Sequence, residues 1–150
     1  MTIETEVQSL RQVSMFREID PAKLKLLAFT SDRLSYDKGD VLFRQHEISD
    51  STYVIVEGKV EVWLEGLDAG RERIKVAELG AGAIVGEMGV LCDQPRSATI
   101  EAACHVVALK IGREVFFDML RQFPQMSVAV MRDLARRLDA TNAKLLAVTR

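Results

Sequence analysis

Apolar positions in the 150 residues change period along the chain, and the changes mark three zones. The first, to about residue 30, has helical spacing. Phe16 and Ile19 precede Asp20-Pro21, where Asp suits an N-cap and Pro the first helical position. Leu24, Leu26, Leu27 and Phe29 then supply the apolar contacts of a short helix over about 21–30. From about 32 to 111 the period falls to two. After the turn cluster Asp37-Lys38-Gly39-Asp40 come Val41, Leu42 and Phe43. Tyr53 and Ile55 follow, then the turn at Glu57-Gly58, then Val60, Val62 and Leu64. Leu67-Asp68-Ala69-Gly70 turns the chain again, Ile74 and Val76 resume the alternation, and Ile100 with the run Val106 to Ile111 closes the zone. Short strands at regular spacing predict an antiparallel β-barrel or jelly roll.

The third zone, about 112–149, returns to helical spacing with Val115, Phe116, Met119 and Leu120, breaks at Phe123-Pro124, and resumes with Met131, Leu134, Leu138, Thr141, Leu145 and Val148. This a/d seam of a little over two heptads predicts either a homodimer coiled coil through a helix at about 125–149 or an amphipathic helix folded onto its own barrel. The expected fold class is α+β over a single domain, 1–150: an antiparallel jelly-roll barrel flanked by N-terminal and C-terminal helices.

Composition narrows the function. The net charge of −2 argues against a surface built to hold a phosphate backbone, although one local basic pocket remains compatible with it. No run of about 18 apolar residues predicts a membrane span. The N-terminus lacks the apolar core of a signal peptide. Cys92 and Cys104 are too few for a disulfide framework or a metal site, and read as reduced, partly buried thiols of a cytoplasmic protein. His46 and His105 are isolated and have no ligand-spaced partner, so neither a metal nor a catalytic constellation is expected. The chain reads as a non-enzyme with no cofactor. Met15, Met88, Met119, Met126 and Met131 read as core fillers, and Trp63 as a residue of the outer sheet face.

The chemistry concentrates in Gly80 to Thr99. Gly80, Gly82 and Gly86 allow unusual backbone angles and close approach to a ligand. Glu87 to Leu91 is long enough for one helical turn, whose N-terminal N–H groups suit an anion. Arg96 follows a Pro-containing turn and begins the next strand; Arg is the side chain suited to bidentate phosphate contact. Ser97 and Ala98 leave room and offer backbone donors. A carboxylate beside a phosphate needs its own partner, and a sugar hydroxyl provides one: ionised Glu87 can accept its hydrogen bond while Arg96 meets the phosphate. A ligand carrying both groups is a nucleotide.

The run Val85-Gly86-Glu87-Met88-Gly89-Val90-Leu91, followed by Pro95-Arg96-Ser97-Ala98-Thr99, resembles the phosphate-binding cassette of the cyclic nucleotide-binding domain family, here 85–98. The resemblance runs from about residue 13 to the end and takes in Tyr36, Gly39, Val41, Phe43, Gln45, Asp50, Tyr53, Ile55, Gly58 and Val60. It implies that Glu87 holds the ribose 2′-hydroxyl with the Gly86 to Met88 main chain, and that Arg96, Ser97 and Ala98 hold the cyclic phosphate. The C-terminal helix is similar to the dimer helix of the bacterial catabolite activator branch, which implies base contacts from Thr141 and from Asn142, where that branch has Ser. Arg136 and Arg137 read as solvated helix residues. His46-Glu47 stands where the family has Gly-Asp or Gly-Glu, and Val85 where Phe is commoner. The implied function is a stand-alone sensor of a cyclic nucleotide, cyclic AMP ahead of cyclic GMP because Ser97 follows the Arg and Thr141-Asn142 resembles the adenine-reading pair. Its C-terminal helices would rearrange on binding, and its effector would be a separate protein. The chain reaches Arg150, where the activator branch begins its helix-turn-helix, so DNA is not expected as a partner; nor, without a long apolar run, is a membrane. The alternative is a degenerate member acting as a ligand-free protein-interaction module.

Overall fold

The computed structural model describes residues 3–13, 16–66 and 72–149; Met15 and the turn at 67–70 lie outside the described residues. Two helices, α1 (Ile3–Arg11) and α2 (Pro21–Thr30), lead into β1 (Asp32–Tyr36), β2 (Val41–Phe43), β3 (Ser51–Glu57), β4 (Lys59–Leu64), β5 (Ile74–Gly80) and β6 (Ile84–Val85). A one-turn helix, α3 (Glu87–Cys92), precedes β7 (Thr99–Ala102) and β8 (Val106–Gly112), and α4 (Arg113–Gln122) and α5 (Pro124–Thr149) finish the chain. As expected, Asp20 caps α2, its carboxylate accepting the Ala22 N–H at 2.9 Å with Pro21 in the first turn.

The strands form two antiparallel four-stranded sheets, ordered β1-β8-β3-β6 and β2-β7-β4-β5. They are a jelly-roll sandwich of two faces and do not close into the expected barrel, because no described ladder joins one sheet to the other. Phe43, Tyr53, Ile55, Val60, Ile100 and Val106 fill the space between the sheets. The other face of the first sheet is also buried. Val54, Val56, Val107, Leu109 and Ile111 point from β3 and β8 onto Leu10, Phe16, Leu24, Leu27, Phe116, Met119, Met126 and Val130 of the helical layer. This is why Tyr53-Val54-Ile55-Val56 form an unbroken run in β3: six of its seven residues are buried.

Several apolar residues sit outside these cores. Leu24 and Leu27 of α2 are buried, but Leu26 and Phe29 are 59% and 69% exposed because they occupy the opposite side of the helix. In β5 the residues facing the cleft are Ala77 and Leu79, while Ile74 and Val76 are exposed. A register shift between Val62 and Trp63 leaves Val76 without an opposite residue, and Ile74 pairs with Leu64, itself 39% exposed at the end of its strand. Met119 and Met126 are core, but Met88 and Met131 are not, at 44% and 61% exposed. Both thiols are free and exposed rather than partly buried. In α5, Met126 and Val130 are buried and Leu134 packs beside them, but from residue 135 onward the described side chains are exposed, including Leu138. Of the seam expected to fold onto its own domain, the apolar packing therefore reaches only to Leu134.

Candidate functional site

Arg96 is placed by its main chain before its side chain. It does not begin a strand, as expected; β7 starts three residues later. Its N–H donates to Glu47 O and its carbonyl accepts from His46 N–H, both at 2.8 Å. The turn that grips it is closed in turn by the Glu47 carboxylate, which accepts Arg44 N–H at 2.5 Å. His46 adopts φ 78°, the left-handed conformation in which glycine is the ordinary residue.

The Arg96 side chain is almost wholly buried, with its guanidinium 4.1 Å from the centre of the Phe43 ring. Nη1 donates to Gly86 O at 3.1 Å, and Nη2 to Ser51 Oγ at 3.2 Å. The Asp50 carboxylate approaches Nη2 only to 3.5 Å and is itself mostly in solvent. Nε is buried with no hydrogen-bond partner among the described residues. Burial pushes the guanidinium pKa down from its usual value, against the upward pull of Tyr53, Asp50 and Glu47. A buried cation with one incomplete carboxylate contact and an orphaned N–H is matched to an anion.

Glu87 opens α3 and is also buried, at 3% exposed. Its Oε1 accepts a short hydrogen bond from Arg137 Nη1 of α5, so the reading of Arg137 as a solvated residue is corrected. Arg136, next to it, pairs with Asp133 on the helix surface at 3.4 Å. Two glycines make the geometry possible. A Cβ on Gly86, where φ is 81°, would come within 2.5 Å of Arg96 Nη1. One on Gly89 would lie 2.0 Å from Ser49 Oγ and 3.0 Å from Gln94 O.

The two charged residues lie along one cleft of about 260 Å³, whose lining includes Gly86, Met88, Ser97, Ala98 and Arg137. Its apolar wall is Phe43, Val62, Ala77, Leu79, Val85 and Ile100. An apolar cleft with a few convergent polar groups is the usual form of a small-molecule site. All six residues expected at the sugar and phosphate are therefore brought together: Gly86, Glu87, Met88, Arg96, Ser97 and Ala98. Thr141 and Asn142 are not; both are exposed on α5 and outside the cleft lining. Thr141 lies four residues past Arg137 and shares its side of the helix. That spacing was the one sequence signal that could have drawn Arg137 toward the site.

A jelly roll with helices on one face, and a buried arginine and a buried glutamate along one cleft, has the form of a small-ligand-binding domain. Residues 33–123 match the sequence model of the cyclic nucleotide-binding domain, and the chain belongs to that family. It is 34% identical over 131 residues to an uncharacterized NTE family protein of Mycobacterium tuberculosis, covering 87% of this chain but 21% of the relative. It is 26% identical over 136 residues to a CRP-like cAMP-activated global transcriptional regulator of the same species, covering 91% of this chain and 60% of the regulator. Among solved structures, the Thermus thermophilus catabolite activator protein superposes with a TM-score of 0.80 at 27% identity, over 91% of this chain and 63% of that one. The chain thus spans from about a fifth to under two thirds of these relatives. Among the described residues, no helix is long and apolar enough to cross a membrane.

Proposed function

We propose that this domain binds a 3′,5′-cyclic nucleotide, cyclic AMP in preference to cyclic GMP, and transmits the binding without catalysing a reaction. The observation that carries the reading is the pairing of a buried, incompletely neutralised Arg96 with a buried Glu87 along one cleft. Arg96 takes the cyclic phosphate, its orphaned Nε supplying a donor, with Ser97 and Ala98 beside it. Glu87 takes the ribose 2′-hydroxyl, with the Gly86 to Met88 main chain along the sugar. Val62, Ala77 and Leu79 offer the base an apolar wall. Thr141 and Asn142 meet the base edge once α5 closes over the cleft or a second copy supplies its own α5.

The output follows from the partner of Glu87. A ribose hydroxyl competes with Arg137 for the carboxylate, so the ligand binds more tightly to the conformation in which α5 has shifted. The exposed apolar residues beyond Leu134, Leu138 among them, then serve a homodimer seam at about 125–149 or an effector protein. A sensor of this kind works in the cytoplasm, where Cys92 and Cys104 stay reduced.

Isothermal calorimetry with cyclic AMP and with cyclic GMP, on the wild type and on Arg96→Ala, tests the reading. The expected result is micromolar or tighter binding of cyclic AMP, about −8 kcal/mol, weaker binding of cyclic GMP and none in the variant. No heat at millimolar nucleotide would leave the ligand-free interaction module standing instead.

A further inference from the structure

A second cavity, about 630 Å³, lies between the segment before α2 and the first half of α5. Ile19 and Met126 are buried at its floor, and Val128 and Ala129 add apolar surface. Its rim carries three arginines, Arg17, Arg132 and Arg136, all exposed. Two carboxylates share the rim: Asp133, which pairs with Arg136 at 3.4 Å, and Glu18. Arg17 and Arg132 form no ion pair with another described residue. The N-terminal end of α5 opens at this groove, and its first turn holds no acidic residue, so the positive end of a 26-residue helix adds to the same field. A positive patch on a chain of net charge −2 is a local feature, not a consequence of composition.

We propose that this groove seats an acidic amphipathic helix of a partner protein. Apolar side chains of the partner would cover Val128 and Ala129, and its carboxylates would meet Arg17 and Arg132. The apolar surface of Val128 and Ala129 distinguishes this occupant from a free anion, which would gain nothing from it. The groove is also mechanically joined to the nucleotide cleft. Arg136 on its rim and Arg137 on Glu87 are successive residues of α5, about 100° apart around the helix. Freeing Arg137 from Glu87 therefore moves a wall of the groove, and partner affinity follows the state of the Arg137–Glu87 pair. The docking stands without the nucleotide reading; only the description of the groove as that sensor's output rests on it.

The test is a display library of helical peptides with apolar residues fixed at i, i+3, i+4 and i+7 and the other positions randomised. It is selected on the wild-type protein and counter-selected on Arg17→Glu/Arg132→Glu. Both substitutions are at exposed side chains, and circular dichroism checks that the variant is folded. Selected peptides should be enriched in Asp and Glu. The best of them should lose at least about tenfold in affinity on the charge-reversed variant and should weaken with salt. Its affinity should shift about threefold or more in Arg137→Ala, with no nucleotide present. Enrichment without acidic bias, or equal binding to the reversed variant, would overturn the docking site. So would binding of anionic phosphatidylserine vesicles that depends on the same arginines while no peptide is recovered. An affinity unchanged in Arg137→Ala would overturn the link between groove and cleft.

Discussion

The two charged ends of the nucleotide cleft are built on different foundations. Arg96 is fixed by the sandwich: its main chain by the turn at residues 44–47, its guanidinium by Gly86, Ser51 and the face of Phe43. Glu87 has as its side-chain partner a half-exposed arginine on α5, a helix whose second half extends beyond the core. One end is rigid and under-neutralised, the other neutralised by a group that can leave. The difference separates two tasks. A fixed end supplies affinity, since little is reorganised when the ligand arrives. An end whose partner must be exchanged supplies the signal, since the exchange biases a conformational equilibrium.

The largest effect expected lies at the fixed end. Arg96→Met should cost cyclic AMP at least about 100-fold in affinity, about 3 kcal/mol, through loss of the charged phosphate contact. Its fold stability should stay within about 1 kcal/mol of wild type in urea, because the cost of burying the cation disappears with it. Glu87→Gln should cost only about tenfold, as a neutral amide oxygen still accepts the hydroxyl's bond. Paired calorimetry on the two variants orders them, and a greater loss at Glu87 would reverse the comparison. Gly89→Ala should come next. Its added methyl meets Ser49 and the Gln94 carbonyl, so a loss of roughly 1–3 kcal/mol is expected as a lower urea midpoint with an unchanged slope. An unaltered midpoint would show that the cassette is as pliable as α5.

Much of the fixed end was legible in the sequence and little of the movable one. Gly86, Arg96, Ser97 and Ala98 fall within 13 residues, and the glycines before Arg96 state a local backbone requirement. The Arg137–Glu87 pair spans 50 residues, and apart from the four-residue step to Thr141 nothing in the sequence says which cavity that arginine reaches. The strands show the same limit. Alternation located β3, β4 and β5, but the bulge at Val62/Trp63 left Val76 exposed and unpaired, and no periodicity announces an extra residue. Nor could the apolar spacing of α2 separate Leu24 and Leu27 from Leu26 and Phe29, because the helix is apolar on both sides and only the packed fold selects one.

At the movable end, Arg137→Ala should leave the sheets intact and loosen α5. The ion pair is half exposed, so its loss should cost at most about 1 kcal/mol. Hydrogen exchange should nevertheless be faster in residues beyond 130 of α5 and unchanged in β3 and β8, since local opening is governed by local contacts. Uniform acceleration, or none, would mean that Arg137 does not hold the helix.

The smallest effect sharpens the rigid end. His46 sits at φ 78° while its N–H holds the Arg96 carbonyl. For an L-residue the left-handed region costs about 1–2 kcal/mol. Glycine removes that strain but makes the unfolded chain freer by about 0.4–1 kcal/mol. His46→Gly should therefore stabilise the domain by roughly 0.5 kcal/mol and leave the grip on Arg96 intact, with cyclic AMP affinity unchanged. A stabilised protein with altered affinity would show that the imidazole itself acts on the site. A destabilised one would show that the side chain makes a contribution exceeding the strain of its backbone, and that the turn at 44–47 is held by more than its main-chain hydrogen bonds.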